Sequence, residues 1–118
     1  MSEALAMRKL LCAGIGVIVI IGSCGGAAAD CYDTFGCTDR DRFRLSDLMS
    51  GPNCEFLYVI RNQIYAQHGY CFQTARARAT FGNAGCRSSN VNALGLSAIE
   101  LGNATTILQA EHALGCPE

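Results

Sequence analysis

The stretch Cys54-Glu55-Phe56-Leu57-Tyr58-Val59-Ile60-Arg61-Asn62-Gln63-Ile64-Tyr65-Ala66-Gln67-His68-Gly69 decides the fold. Leu57, Ile60 and Ile64 recur at helical spacing and define an apolar stripe. Tyr58, Asn62 and Tyr65 form a second stripe, and Val59 fills between them, so most of this helix should be covered. Asn53 stands where an N-cap is needed, after the turn-forming residues Ser50-Gly51-Pro52. Gly69 stands where the chain must leave the helix in a left-handed conformation. The pattern predicts a helix from Cys54 to His68.

On the N-terminal side, Leu45-Ser46-Asp47-Leu48-Met49 is enough for one short helical turn. On the C-terminal side, Thr74 is expected to cap a short helix through Phe81. Asn83-Ala84-Gly85-Cys86 reads as a turn, and the Ser/Asn-rich residues 87–96 read as loop. Ser97-Ala98-Ile99-Glu100 is a capping box that opens a last helix from Ala98 to about Ala113. Its expected apolar stripe is Leu101, Ala104 and Leu108, with Ile107 beside it, and Gly115 ends it. No internal repeat and no strand is evident, and Tyr70-Cys71-Phe72 reads as an extended link. The expected class is mainly α: a small, disulfide-stapled domain of two or three helices with long loops.

The first 29 residues read as an address. Arg8 and Lys9 precede the uncharged, mostly apolar run Leu10–Gly22, and small residues follow, ending Ala27-Ala28-Ala29. Met7 is an alternative start. The run is shorter than the roughly 18 apolar residues a membrane-spanning helix needs. Residues 1–29 are therefore expected to form the apolar helix of a secretory signal. A competing reading takes Ile21-Gly22-Ser23-Cys24 as a lipobox, with signal 1–23 and lipidation at Cys24. Residues 30–44 form a polar segment in which Asp39-Arg40-Asp41-Arg42 alternates in sign, as solvated segments do. Residues 45–118 form the helical domain.

Beyond residue 29 six of the eight cysteines remain: Cys31, Cys37, Cys54, Cys71, Cys86 and Cys116. An even number in a short exported chain predicts three disulfides. No Cys-x-x-Cys pair occurs, so no metal site is expected, and a catalytic thiol would have to stay unpaired among five others. Cys31–Cys37 is a local pairing. Cys54 and Cys71 flank a helix about 20 Å long, too far apart to bond. Cys71–Cys86 with Cys54–Cys116 is the preferred set, and Cys71–Cys116 with Cys54–Cys86 is close behind. A domain this small has a limited core, and each disulfide contributes about 2–4 kcal/mol, so the cysteines are expected to be structural.

Arg61-Asn62-x-Ile64-Tyr65-Ala66-Gln67-His68-Gly69-Tyr70-x-Phe72 resembles the YARHG domain family, named for Tyr-Ala-Arg-His-Gly. Gln67 replaces the arginine of the name, and Phe81 is similar to the Tyr-Phe pair that follows in the family. The resemblance covers about residues 45–86. The Trp-Tyr element that often closes the pattern has no counterpart, since the chain has no Trp; Cys86 and Cys116 are expected to do that closing. The resemblance implies an exported bacterial protein with a compact helical domain, and it brings no catalytic residues.

The candidate binding residues are Arg61, Asn62, Tyr65 and His68. Each also has a plain structural reading. Arg61 at the edge of the core needs an acid, Asp47 or Glu111. Asn62 would hydrogen-bond a loop, and His68 would complement the helix C-terminus. Glu55 and His112 have no evident partner, and Tyr58, Tyr65 and Tyr70 read as packing residues. A net charge of −1 excludes a strongly basic nucleic-acid binder, and Arg76, Arg78 and Arg87 are too few to change that. No nucleophile–base arrangement, carboxylate pair or phosphate loop stands out, so no catalytic residue, metal or cofactor is expected. Two functions follow. The first is a non-enzymatic structural or binding module of the bacterial envelope, periplasmic or extracellular, with a cell-wall glycan or another envelope protein as partner. Membrane contact would come only through the signal segment or a lipid on Cys24. The alternative is a small secreted hydrolase or an enzyme inhibitor.

Overall fold

The computed structural model describes residues 30–118; the expected signal helix, with Cys12 and Cys24, lies outside the described residues. The chain begins with a two-residue hairpin, β1 (Cys31–Tyr32) and β2 (Gly36–Cys37), in which Cys31 pairs across to Cys37. Four helices follow: α1 (Leu45–Ser50), α2 (Cys54–Gln67), α3 (Ala75–Phe81) and α4 (Ala98–Ala113), with a 3-10 turn at Val91–Ala93 before the last. Two are long and two short. Among the described residues no helix is long and apolar enough to cross a membrane.

Three of the four helices, α1 excepted, start where side chains take up orphan amides. Asn53 Oδ1 accepts from the Phe56 amide at 2.8 Å, and Thr74 Oγ1 accepts from the Ala77 amide at 3.1 Å. At α4 the capping box is complete: Ser97 Oγ accepts from the Glu100 amide at 3.1 Å, while Glu100 Oε1 accepts from the Ser97 amide at 2.9 Å. α2 ends at His68, and Gly69 follows with φ +84°. A Cβ at Gly69 would lie 2.9 Å from Arg87 Cδ, so both backbone conformation and space require glycine there.

α2 and α4 pack against each other antiparallel, and α1 lies against α4. Leu57, Ile60 and Ile64 enter the core as their spacing predicts, with Leu48 from α1, Phe43, and Ala104, Ile107 and Ala110 from α4. α4 buries Ala104 and Ile107 as expected, but not the two leucines of the expected stripe. Leu101 and Leu108 are 38% and 36% exposed, while Asn103, Ala104, Ile107, Ala110 and Glu111 are buried. Asn103 and Glu111 find partners inside the fold, and Ala104 and Ala110 pack in the core beside them.

Asn103 is the clearest case. Its Oδ1 accepts from the Phe43 amide at 2.9 Å, and its Nδ2 donates to the carbonyls of Thr38 and Asp41 at 3.0 and 2.8 Å. One side chain thus pins residues 38–43 to α4. The alternating charges Asp39 to Arg42 are exposed, yet the backbone beneath them is fixed to the core.

The disulfides are Cys31–Cys37, Cys54–Cys116 and Cys71–Cys86. The strands depart from the sequence expectation: the hairpin is real though minimal, and Tyr70 forms a parallel bridge to Ser88.

Candidate functional site

Three cross-links join α2 to α4 and its tail, in opposite chain order. Cys54 at the start of α2 bonds Cys116 beyond the end of α4. Arg61, mid-α2, reaches Glu111. His68, at the C-terminus of α2, reaches Glu100 in the first turn of α4. Two of the four candidate binding residues are therefore consumed in holding the helix pair.

The Arg61–Glu111 pair is two-pronged: Nε donates to Oε1, and Nη2 donates to Oε2 at 3.2 Å. The side chains are 16% and 4% exposed. Burial alone would pull the Arg61 pKa down, but hydrogen bonding and charge from Glu111 more than offset it, and the net shift is upward. The guanidinium stays charged. Of the two acids the sequence offered, Glu111 is the partner.

His68 Nε2 lies 2.9 Å from Glu100 Oε2. Glu100 is thus shared: one oxygen caps α4 and the other reaches the end of α2. Burial pushes the Glu100 carboxyl up, but the Ser97 amide, followed by His68, outweighs it and holds it below its ordinary value. The His68 carbonyl accepts from Arg87 Nη1 at 3.0 Å, so this corner is closed from both sides.

Asn62 does not reach a loop. Its Nδ2 donates to the Tyr58 carbonyl, one turn back in α2, at 2.9 Å; buried in the helix face, it has a backbone acceptor at hand. Tyr65 packs its ring 5.7 Å from Tyr70, which stands edge-on to Phe72, itself stacked on Phe81. Glu55, without an evident partner in the sequence, accepts from Arg76 Nη2 at 2.7 Å, and the Arg76 guanidinium lies 3.5 Å over the Tyr58 ring. His112 lies 3.8 Å from Glu118 at the exposed C-terminus. Arg61, His68 and Glu55 therefore end on three different partners and do not converge on one point. Among the described residues no group of three or more His, Cys, Asp or Glu is placed to hold a metal ion.

A second surface was missed in the sequence. Between the Cys31–Cys37 loop and the α1–α2 turn lies an open depression lined by Tyr32, Asp33, Phe35, Asp47, Pro52 and Phe56, among others. Tyr32 stands edge-on to Phe35, Phe43 and Phe56, with ring centroids 6.3, 6.5 and 5.8 Å away. Its hydroxyl lies 3.3 Å from Asp30 Oδ2, and burial, followed by that carboxylate, pushes its pKa up to about 12. The only sequence signal was an aromatic pair inside a small cysteine loop.

Helix pair, staples and motif together define a small disulfide-stapled helical module with its polar motif turned inward. The chain belongs to the YARHG domain family: the family model described as YARHG domain matches residues 37–112. No curated protein and no solved structure matches the chain.

Proposed function

We propose that the protein is an exported component of the bacterial envelope whose YARHG domain is a non-catalytic structural or binding module. The observation that carries this reading is the fate of the motif. Arg61 and His68, its two basic side chains, each engage a carboxylate of α4. Residues so used hold the α2–α4 pair in shape. Three disulfides support the export part, because they persist in oxidising compartments. The partner we favour is a cell-wall glycan or another envelope protein, with the chain free outside the cytoplasm or tethered by Cys24.

Cell fractionation with mass analysis of the N-terminus and of thiol alkylation tests the location. The expected result is an N-terminus at Asp30 or at lipidated Cys24, with no labelling of the six described cysteines. An unprocessed, alkylatable cytoplasmic protein would overturn it. For the role, sedimentation of the purified protein with purified cell wall and with envelope fractions is measured beside assays on ester, amide and glycoside substrates. Retention without turnover is expected. Turnover that His68→Ala abolishes while the fold persists would establish an enzyme instead.

A further inference from the structure

The open depression on the hairpin side carries chemistry that the motif face has already used up. Its lining holds the carboxylates Asp33 and Asp47, the rings of Tyr32, Phe35 and Phe56, and no basic side chain. Among the described residues no ion pair engages Asp33 or Asp47. Phe56 is 38% exposed, although it is among the largest apolar side chains of α2.

Aromatic faces beside unpaired carboxylates recognise cations, and a guanidinium suits both elements at once. The molecule contains its own example. Arg76 lies over the Tyr58 ring while its Nη2 donates to Glu55. The depression offers the same two elements with the cation missing.

We propose that this depression binds an arginine side chain of an extended partner polypeptide. The guanidinium lies over the part-exposed ring of Phe56, beside Tyr32, and donates to Asp33 and Asp47. Its shape favours a polypeptide over a free small molecule. Small-ligand sites enclose most of their ligand, whereas this one is open and accepts a side chain whose backbone runs across the surface. Charge complementarity acts in the same direction, since residues 30–118 hold seven arginines and nine acids. Residues 31–35 precede the family match, so this wall belongs to the present chain's own N-terminal loop. The proposal rests on the binding-module reading and names its partner class.

The test is a titration of the purified full chain with an uncharged-flank peptide carrying one arginine, followed by amide chemical shifts. Saturable shifts at Tyr32–Phe35, Gly51 and Phe56 are expected. Asp33→Asn with Asp47→Asn should weaken the affinity about tenfold or more, the loss expected for a stacked, paired guanidinium, with the remaining spectrum unchanged. Phe56→Ala, at a partly exposed position, should weaken it as well. Peptides with citrulline or lysine at the same position should bind more weakly. Absence of saturation at millimolar peptide, shifts elsewhere on the surface, or equal binding of the citrulline or lysine peptide would overturn the proposal. Tighter binding of a glucosamine oligomer at the same amides would overturn the polypeptide as occupant. The titration needs neither export nor cell wall, so its failure is read separately from failure of the envelope reading.

Discussion

The two faces of α2 use charge in opposite ways. Toward α4, both basic side chains of the motif are answered: Arg61 by Glu111 and His68 by Glu100, in side chains at most 26% exposed. Toward the hairpin, Phe56 meets a depression whose two carboxylates have no cation among the described residues. The first face bears the family motif and the second is built half from residues before the family match. Family pattern and free chemistry thus lie in different places. A sequence motif of polar residues can mark the seam that holds a small domain together, while recognition is left to a neighbouring loop.

The largest effect expected in testing this contrast comes from the covalent staples. Cys54–Cys116 spans a sequence separation of 62 residues and ends the α2–α4 seam, whereas Cys31–Cys37 spans 6 in the hairpin wall. Loop-closure entropy assigns about 4 kcal/mol to the first and about 2 kcal/mol to the second. Cys54→Ser with Cys116→Ser should bring the domain near the limit of folding in urea melts. Cys31→Ser with Cys37→Ser should lower the midpoint less. Equal losses would mean that the two regions are one energetic unit.

The Arg61 seam comes next. Glu111 is 4% exposed, so Arg61→Ala leaves a buried carboxylate without its partner. The expected cost is about 3 kcal/mol. Arg61→Lys should recover only part, because one ammonium cannot make both contacts. Replacing both members, Arg61→Met with Glu111→Leu, should be close to neutral. Denaturant midpoints of the four proteins check this. If Arg61→Ala folds with unchanged stability yet loses an envelope ligand, the motif face is a recognition surface after all.

Asn103 joins the two regions and should show an intermediate effect. Asn103→Ala leaves the Phe43 amide and the Thr38 and Asp41 carbonyls short of a partner. A loss of roughly 1–3 kcal/mol follows from unsatisfied buried groups. Hydrogen exchange distinguishes this from general loosening: the Phe43 amide should exchange faster while the amides of Ile60 and Ile64 keep their order. Uniform acceleration would show that the 38–43 segment is not separately held.

What could be read from the sequence was what neighbours in the chain determine. The Leu57–Ile60–Ile64 stripe, the Asn53, Thr74 and Ser97 caps, and the Gly69 stop each depend on residues within a turn or two. The length of one helix excluded Cys54–Cys71 and left two pairings of the other cysteines open. α4 was misread because its inward face includes Asn103 and Glu111, whose partners lie about sixty and fifty residues away. Periodicity scores a leucine as inside and an asparagine as outside, and here tertiary hydrogen bonds reverse both. The depression was invisible for a related reason: residues 31–35 and 47–56 are apart in the chain and meet only in the folded domain.

The smallest expected effect isolates one charge at the seam. Glu100→Gln keeps the capping box, since glutamine at that position can also accept from the Ser97 amide, but it removes the negative partner of His68. At neutral pH the cost should be about 0.5–1 kcal/mol, as for a partly exposed pair. The pH dependence is the sharper reading. The folded Glu100 carboxyl lies below its ordinary value of 4.5. Its ionisation therefore stabilises the fold fully above the unfolded value, and that contribution is lost as pH falls through the depressed folded value. Thermal melts from neutral pH downward should show the wild type losing its advantage over Glu100→Gln below about 4.5, until the two curves meet. A constant offset across that window would mean that Glu100 acts through the neutral cap alone, and that His68 contributes no charge to the seam.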